Sequence, residues 1–149
     1  MWGKYLPHIV IFLFAALAQS AYLTVTAEDE LLLAFQLSPG DSWHIAWNHS
    51  VAGITVRDYY RWDGQQMILT ASFTPDFAAG LGHIPGRGKV LATPQGYWLL
   101  GIDAVVPDNV YFLRVGSDAV NHRLVYHGQT YSLSALAARK RVAIGVISK

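Results

Sequence analysis

The chain has 149 residues, a formal net charge of +1, 52% apolar and 14% charged residues, and no cysteine. That length and apolar content suit one domain with a sizeable core and exclude a disordered chain. The near-neutral charge excludes nucleic-acid binding through a basic field, and the lack of cysteine excludes a disulfide scaffold, a thiol nucleophile and a thiolate zinc site.

Lys4 precedes an apolar run from Ile9 to Ala18, and small residues follow at Ala16-Leu17-Ala18 and Ala18-Gln19-Ser20. This is the pattern of a secretory signal over residues 1–20. The alternative is an uncleaved anchor helix over Tyr5 to Val25, long enough to span a hydrocarbon core of about 30 Å. Both place a single domain, residues 28–149, outside the cytoplasm, in the periplasm or at the outer face of the inner membrane. Lys4 then stays inside and Glu28, Asp29 and Glu30 lie beyond the membrane.

Strand signals follow. Leu31 to Leu37 is an apolar run ended by the turn cluster Ser38-Pro39-Gly40-Asp41. Trp43 to Trp62 folds back at Ala52-Gly53 into a hairpin. One face carries Trp43, Ile45, Trp47, Val51, Ile54, Val56, Tyr60 and Trp62; the other carries His44, Asn48, Ser50, Thr55, Arg57 and Arg61. Asp63-Gly64 turns into a third strand, Gln66 to Phe73, completing a meander. Tyr97 to Ile102, Tyr111 to Val115, Arg123 to Tyr126, Thr130 to Leu133 and Val142 to Ile147 read as further strands, with one or two helical turns at Ser134 to Arg141. The expected fold is mainly β, an antiparallel sandwich or flattened barrel behind an N-terminal signal or anchor helix.

His49 and Asp58 are polar residues on the apolar face of the hairpin. A turn at Ala52-Gly53 sets residue 49 opposite 56 and residue 47 opposite 58, making His49 and Asp58 diagonal neighbours. A carboxylate beside an imidazole fixes its tautomer and raises its pKa, which serves catalysis, metal binding or pH sensing, or else pins a buried sheet. The remaining histidines of the domain, His44, His83, His122 and His127, show no helical zinc spacing. No G-x-S-x-G elbow supports serine-hydrolase chemistry and no histidine spacing marks a metal site, so the sequence leads to no expected catalytic set, cofactor or metal. Thr74 to Lys89 is a long connection rich in glycine and proline. Within it Gly80, Gly82, His83, Pro85 and Arg87 form a candidate recognition loop, or a cap on the sandwich.

Trp47, then His49-Ser50-Val51, then Asp58 in the next strand, then Phe73, then a glycine-rich segment ending in Pro85, resembles the DUF1850 family. The resemblance covers roughly residues 30 to 90, and its specific part is W-x-HSV. The segment AAGLGHIPGRG is longer than the compact glycine pattern of the family. The family comprises small exported bacterial proteins often encoded beside TAXI-type TRAP transporters. The resemblance therefore implies a non-enzymatic accessory protein whose partners are TRAP membrane subunits or the solute-binding protein. Membrane contact would run through the N-terminal segment if that is retained. The alternative is a small-ligand or metal-binding domain, or a hydrolase, centred on His49 and Asp58.

Overall fold

The computed structural model describes residues 20–49, 53–76 and 88–149. Strands β1 (Ala21–Ala27) and β2 (Glu30–Leu37) form a hairpin, followed by β3 (Ser42–Asn48), β4 (Thr55–Trp62) and β5 (Met67–Thr74). Then come β6 (Lys89–Thr93), β7 (Gly96–Val105), β8 (Val110–Arg114), β9 (Arg123–Tyr126) and β10 (Gln129–Ser132). A short helix α1 (Leu133–Ala137) leads into β11 (Arg141–Ser148). The strands make two antiparallel sheets, one ordered β2-β1-β11-β8 and the other β10-β9-β3-β4-β5-β7-β6. The sheets stack without closing, so the architecture is a sandwich rather than a barrel. The N-terminal signal or anchor lies outside the described residues; among these no helix is long and apolar enough to cross a membrane.

Alternation dictates the core. Leu23, Val25, Val142 and Ile144 point inward from the smaller sheet, and Trp43, Ile45, Trp62, Met67 and Leu124 meet them from the larger one. Burying each large apolar side chain is worth about 1.5–3 kcal/mol. Leu133 of α1 closes one end, on a helix started by Ser132, whose hydroxyl accepts from the Ala135 N–H at 3.1 Å.

Two elements differ from the sequence expectation. Residues 21–27 form β1, paired along its whole length with β11, whereas the sequence pattern merges Ala21 to Val25 with the apolar N-terminal run. Lys89–Thr93 forms β6, an edge strand whose apolar run is too short to stand out from the glycine-rich connection before it. The meander β3-β4-β5 is present as expected.

The hairpin register also differs. Trp47 pairs with Val56, and Ile45, not Trp47, sits opposite Asp58. The ladder continues to His49, whose N–H donates to the Ile54 carbonyl at 2.7 Å. The ladder therefore reaches its last described pair at His49 and Ile54, and the pairing slips by two residues from the expected register. A two-residue slip leaves every side chain on its expected face.

A bulge at Thr70 shapes β5. Tyr60 pairs with Leu69, while Tyr59 pairs with Ala71, so Thr70 is the extra residue. Its hydroxyl donates to the Tyr59 carbonyl at 3.1 Å. Beyond the bulge Ser72, rather than Ala71, lies across from Asp58, and Phe73 turns to the outer face. There it meets the Arg57 guanidinium, 5.2 Å from its ring centroid, and the Trp98 ring at 4.9 Å.

Candidate functional site

Between the sheets, beside edge strand β8, lies a cavity of about 320 Å³ lined by Ile45, Trp47, Asp58, Tyr60, Tyr111, Leu113 and His122. Strand parity explains most of this lining. Ile45 and Trp47 on β3, Asp58 and Tyr60 on β4, and Tyr111 and Leu113 on β8 all occupy inward positions. Trp47, Asp58, Tyr111 and Leu113 are only half-buried, so solvent reaches the cavity.

Asp58 is the charged group of the site. Its Oδ1 accepts a hydrogen bond from the Ser72 hydroxyl. Among the described residues no cation lies within ion-pair distance of it. Burial pushes its pKa up, and the Ser72 bond only partly offsets that. The flanking Arg57 and Arg61 alternate to the opposite face of β4.

The aromatic wall is continuous. Trp43 stacks on Tyr60 with centroids 6.0 Å apart, and Tyr60 stacks on Tyr111 at 5.0 Å and 9°. This column crosses from one sheet to the other. The Tyr111 hydroxyl is sealed from solvent and has no hydrogen-bond partner among the described residues. The Tyr60 hydroxyl is near enough that the two phenols perturb each other through charge and a hydrogen-bonding contribution, but the pair falls outside strict hydrogen-bond geometry. Burial first, then the Asp58 charge, raises the Tyr60 pKa; burial also holds Tyr111 well above the usual phenol range.

His122 forms the far wall, its ring stacked on Trp47 at 6.2 Å. The Gly116 N–H donates to its Nδ1 at 2.9 Å, which places the imidazole proton on Nε2. The backbone N–H of His122 donates to the Ser134 hydroxyl at 2.9 Å. Burial depresses its pKa, so the ring stays neutral.

His49 does not join this group. It lies four residue steps along the ladder from the position facing Asp58, roughly 13 Å of strand at 3.3 Å per residue. Trp47 lines the cavity, while Phe73 belongs to the opposite face of the sheet. Ser50, Val51, Gly80, Gly82, His83, Pro85 and Arg87 lie outside the described residues. Tyr60, Tyr111 and Ser72 were not singled out from the sequence, and His122 was noted only as one of the histidines.

A second hollow of about 440 Å³ opens on the surface around Asp41, His44, Tyr59 and His127. Its carboxylate is already engaged. Asp41 accepts from the Ser38 N–H at 2.8 Å and from the Tyr126 hydroxyl at 3.0 Å, and His127 lies 3.6 Å away. The Ser38 bond is the main cause of its lowered pKa. This cluster fastens the β2–β3 turn to β9, since Tyr126 also donates to the Gln36 carbonyl at 3.0 Å.

The model of a domain of unknown function, DUF1850, matches residues 44–133. The chain belongs to this family. The matched segment runs from β3 to the start of α1 and contains every residue that lines the inter-sheet cavity. It extends further toward the C-terminus than the W-x-HSV and glycine-rich motifs do. It omits β1, β2 and β11, three of the four strands of the smaller sheet. No curated protein and no solved structure gave a significant match.

Proposed function

We propose that this DUF1850 domain is a non-enzymatic binding domain, held outside the cytoplasm, which takes a small molecule between its sheets as an accessory to a TRAP-type (TAXI) solute transporter. The observation that carries the binding role is the pair of uncompensated polar groups on the cavity wall. A buried hydroxyl without a partner and a desolvated carboxylate without a cation each cost free energy in the empty domain. A bound molecule that pairs with the Asp58 carboxylate recovers its share of that cost. The location rests on Lys4 and the Ile9–Ala18 run, and the transporter link on the family resemblance.

Binding is favoured over hydrolysis by the state of the polar groups. His122 has its Nδ1 occupied by the Gly116 N–H and its proton on Nε2, so it has no free lone pair with which to act as a general base. The Ser72 hydroxyl is committed to a carboxylate rather than to an imidazole. The alternative site, a metal centre or hydrolase built on His49 and Asp58, would need side chains that the β3–β4 register sets apart.

The test has two arms. Thermal denaturation of the purified full-length chain against a panel of small amines, amino acids and organic acids should reveal a class that raises the melting temperature. Affinity capture from membranes should recover TRAP membrane subunits or the solute-binding protein. A flat panel would sink the binding role, and recovery of no transporter component in several mild detergents would sink the accessory role.

A further inference from the structure

We infer that the inter-sheet cavity selects a small organic ammonium ion, held by the Asp58 carboxylate within walls formed by Trp47, Tyr60 and Tyr111. This rests on the binding role proposed above and names the ligand class.

The argument is one of charge balance in a partly desolvated space. The lining contains one carboxyl group and, among the described residues, no lysine or arginine. Among the described residues His122 is the only other lining group that titrates near neutrality, and its hydrogen bond from Gly116 keeps it uncharged. Tyr60 and Tyr111 remain neutral phenols. The field inside is therefore negative whenever Asp58 ionises, which repels an anion and attracts a cation. Ser72 occupies Oδ1, leaving Oδ2 without a partner among the described residues.

The aromatic rings act in the same sense. A ring face carries partial negative charge and attracts an ammonium group within about 6 Å, most strongly where water is excluded. Ile45 and Leu113 complete the lining with apolar surface that suits a short hydrocarbon tail.

The experiment is an NMR titration of the full-length chain at neutral pH, read at the backbone amides of Ile45, Tyr60 and Leu113, which line the cavity and remain in both variants. The probes share one chain length: n-butylammonium, n-butanol and n-butyrate. Butylammonium should bind at least tenfold more tightly than butanol, and butyrate most weakly. Asp58→Asn keeps the volume and a partner for Ser72, and should weaken butylammonium at least tenfold more than it weakens butanol. Trp47→Leu removes a ring without touching the charge, and carries the test if Asp58→Asn does not fold; it should weaken butylammonium several-fold more than butanol. Butanol or butyrate binding as tightly as butylammonium would overturn the ammonium assignment and leave the binding role standing. Failure of all three probes to shift any cavity resonance would overturn both.

Discussion

Replacing Tyr111 by phenylalanine should stabilise the empty protein. The substitution removes one oxygen atom and keeps the ring, so the stack on Tyr60, at 5.0 Å and 9°, survives. The lost hydroxyl is buried and makes no hydrogen bond to a described residue. Burying such a group unpaired costs about 1–3 kcal/mol in proteins, and removing it orphans no partner. We expect Tyr111→Phe to gain about 1–2 kcal/mol, a rise of roughly 4–8 °C in melting temperature for a domain of this size. Tyr126→Phe is the internal control. It deletes the same atom from a tyrosine whose hydroxyl donates toward the Gln36 carbonyl and the Asp41 carboxylate, each at 3.0 Å. That change should lose about 1–2 kcal/mol. Urea denaturation followed by tryptophan fluorescence, with calorimetry in parallel, measures both. If Tyr111→Phe loses 1 kcal/mol or more, as a fully bonded tyrosine would (by the scale of), the hydroxyl has a partner in the empty protein and the reasoning fails.

Other predictions concern pH, backbone space and the loop below the cavity. Burial raises the folded pKa of Asp58 above the ordinary aspartate value of 3.8, so its protonation stabilises the fold. That contribution is complete below 3.8 and is lost as pH rises through the folded pKa. Asp58→Asn should therefore melt higher than the parent at neutral pH, with the gap closing as pH falls toward 4; a gap independent of pH would refute this. At Gly96 (φ +144), an added Cβ would lie 2.5 Å from the Thr74 carbonyl oxygen and 2.6 Å from Pro75 Cα. Because both obstacles are backbone, Gly96→Ala should cost more than about 2 kcal/mol in chemical denaturation. His122→Ala orphans the Gly116 N–H and should cost about 1–3 kcal/mol, with hydrogen exchange at Gly116 accelerating more than at the strand centres.

The faces of the central hairpin were legible because alternation alone assigns them. Trp43, Ile45, Val56, Tyr60 and Trp62 are all buried, on the face the period of two gives them. The register was not legible, because Ala52-Gly53 is a weak turn signal and a slip of two residues leaves the alternation intact. β1 was hidden because only Gln19 and Ser20 separate it from the apolar N-terminal run. In the site, Asp58 stood out as a carboxylate on an apolar face. Its neighbours did not, for two reasons. A tyrosine at an inward position reads as core until its hydroxyl is located, and Tyr111 and His122 reach Asp58 from strands and loops distant in sequence. Ser72 faces Asp58 only because Thr70 bulges, which no pattern in QMILTASF announces.

The pairing of β1 with β11 has a consequence for the order in which the domain can be completed. Ala21 lies across from Ser148 and Ala27 across from Val142, and the Lys149 N–H donates to the Ser20 carbonyl at 2.9 Å. The first strand thus waits for the last. A chain threaded through a pore N-terminus first would keep Leu23 and Val25 uncovered on one side until its final eight-residue strand arrived. Such long-range closure is slow compared with local pairing. The same closure brings residues 20 and 149 together, so a tag fused at the C-terminus sits at the root of the N-terminal segment and, in turn, a short linker between them would permit circular permutation.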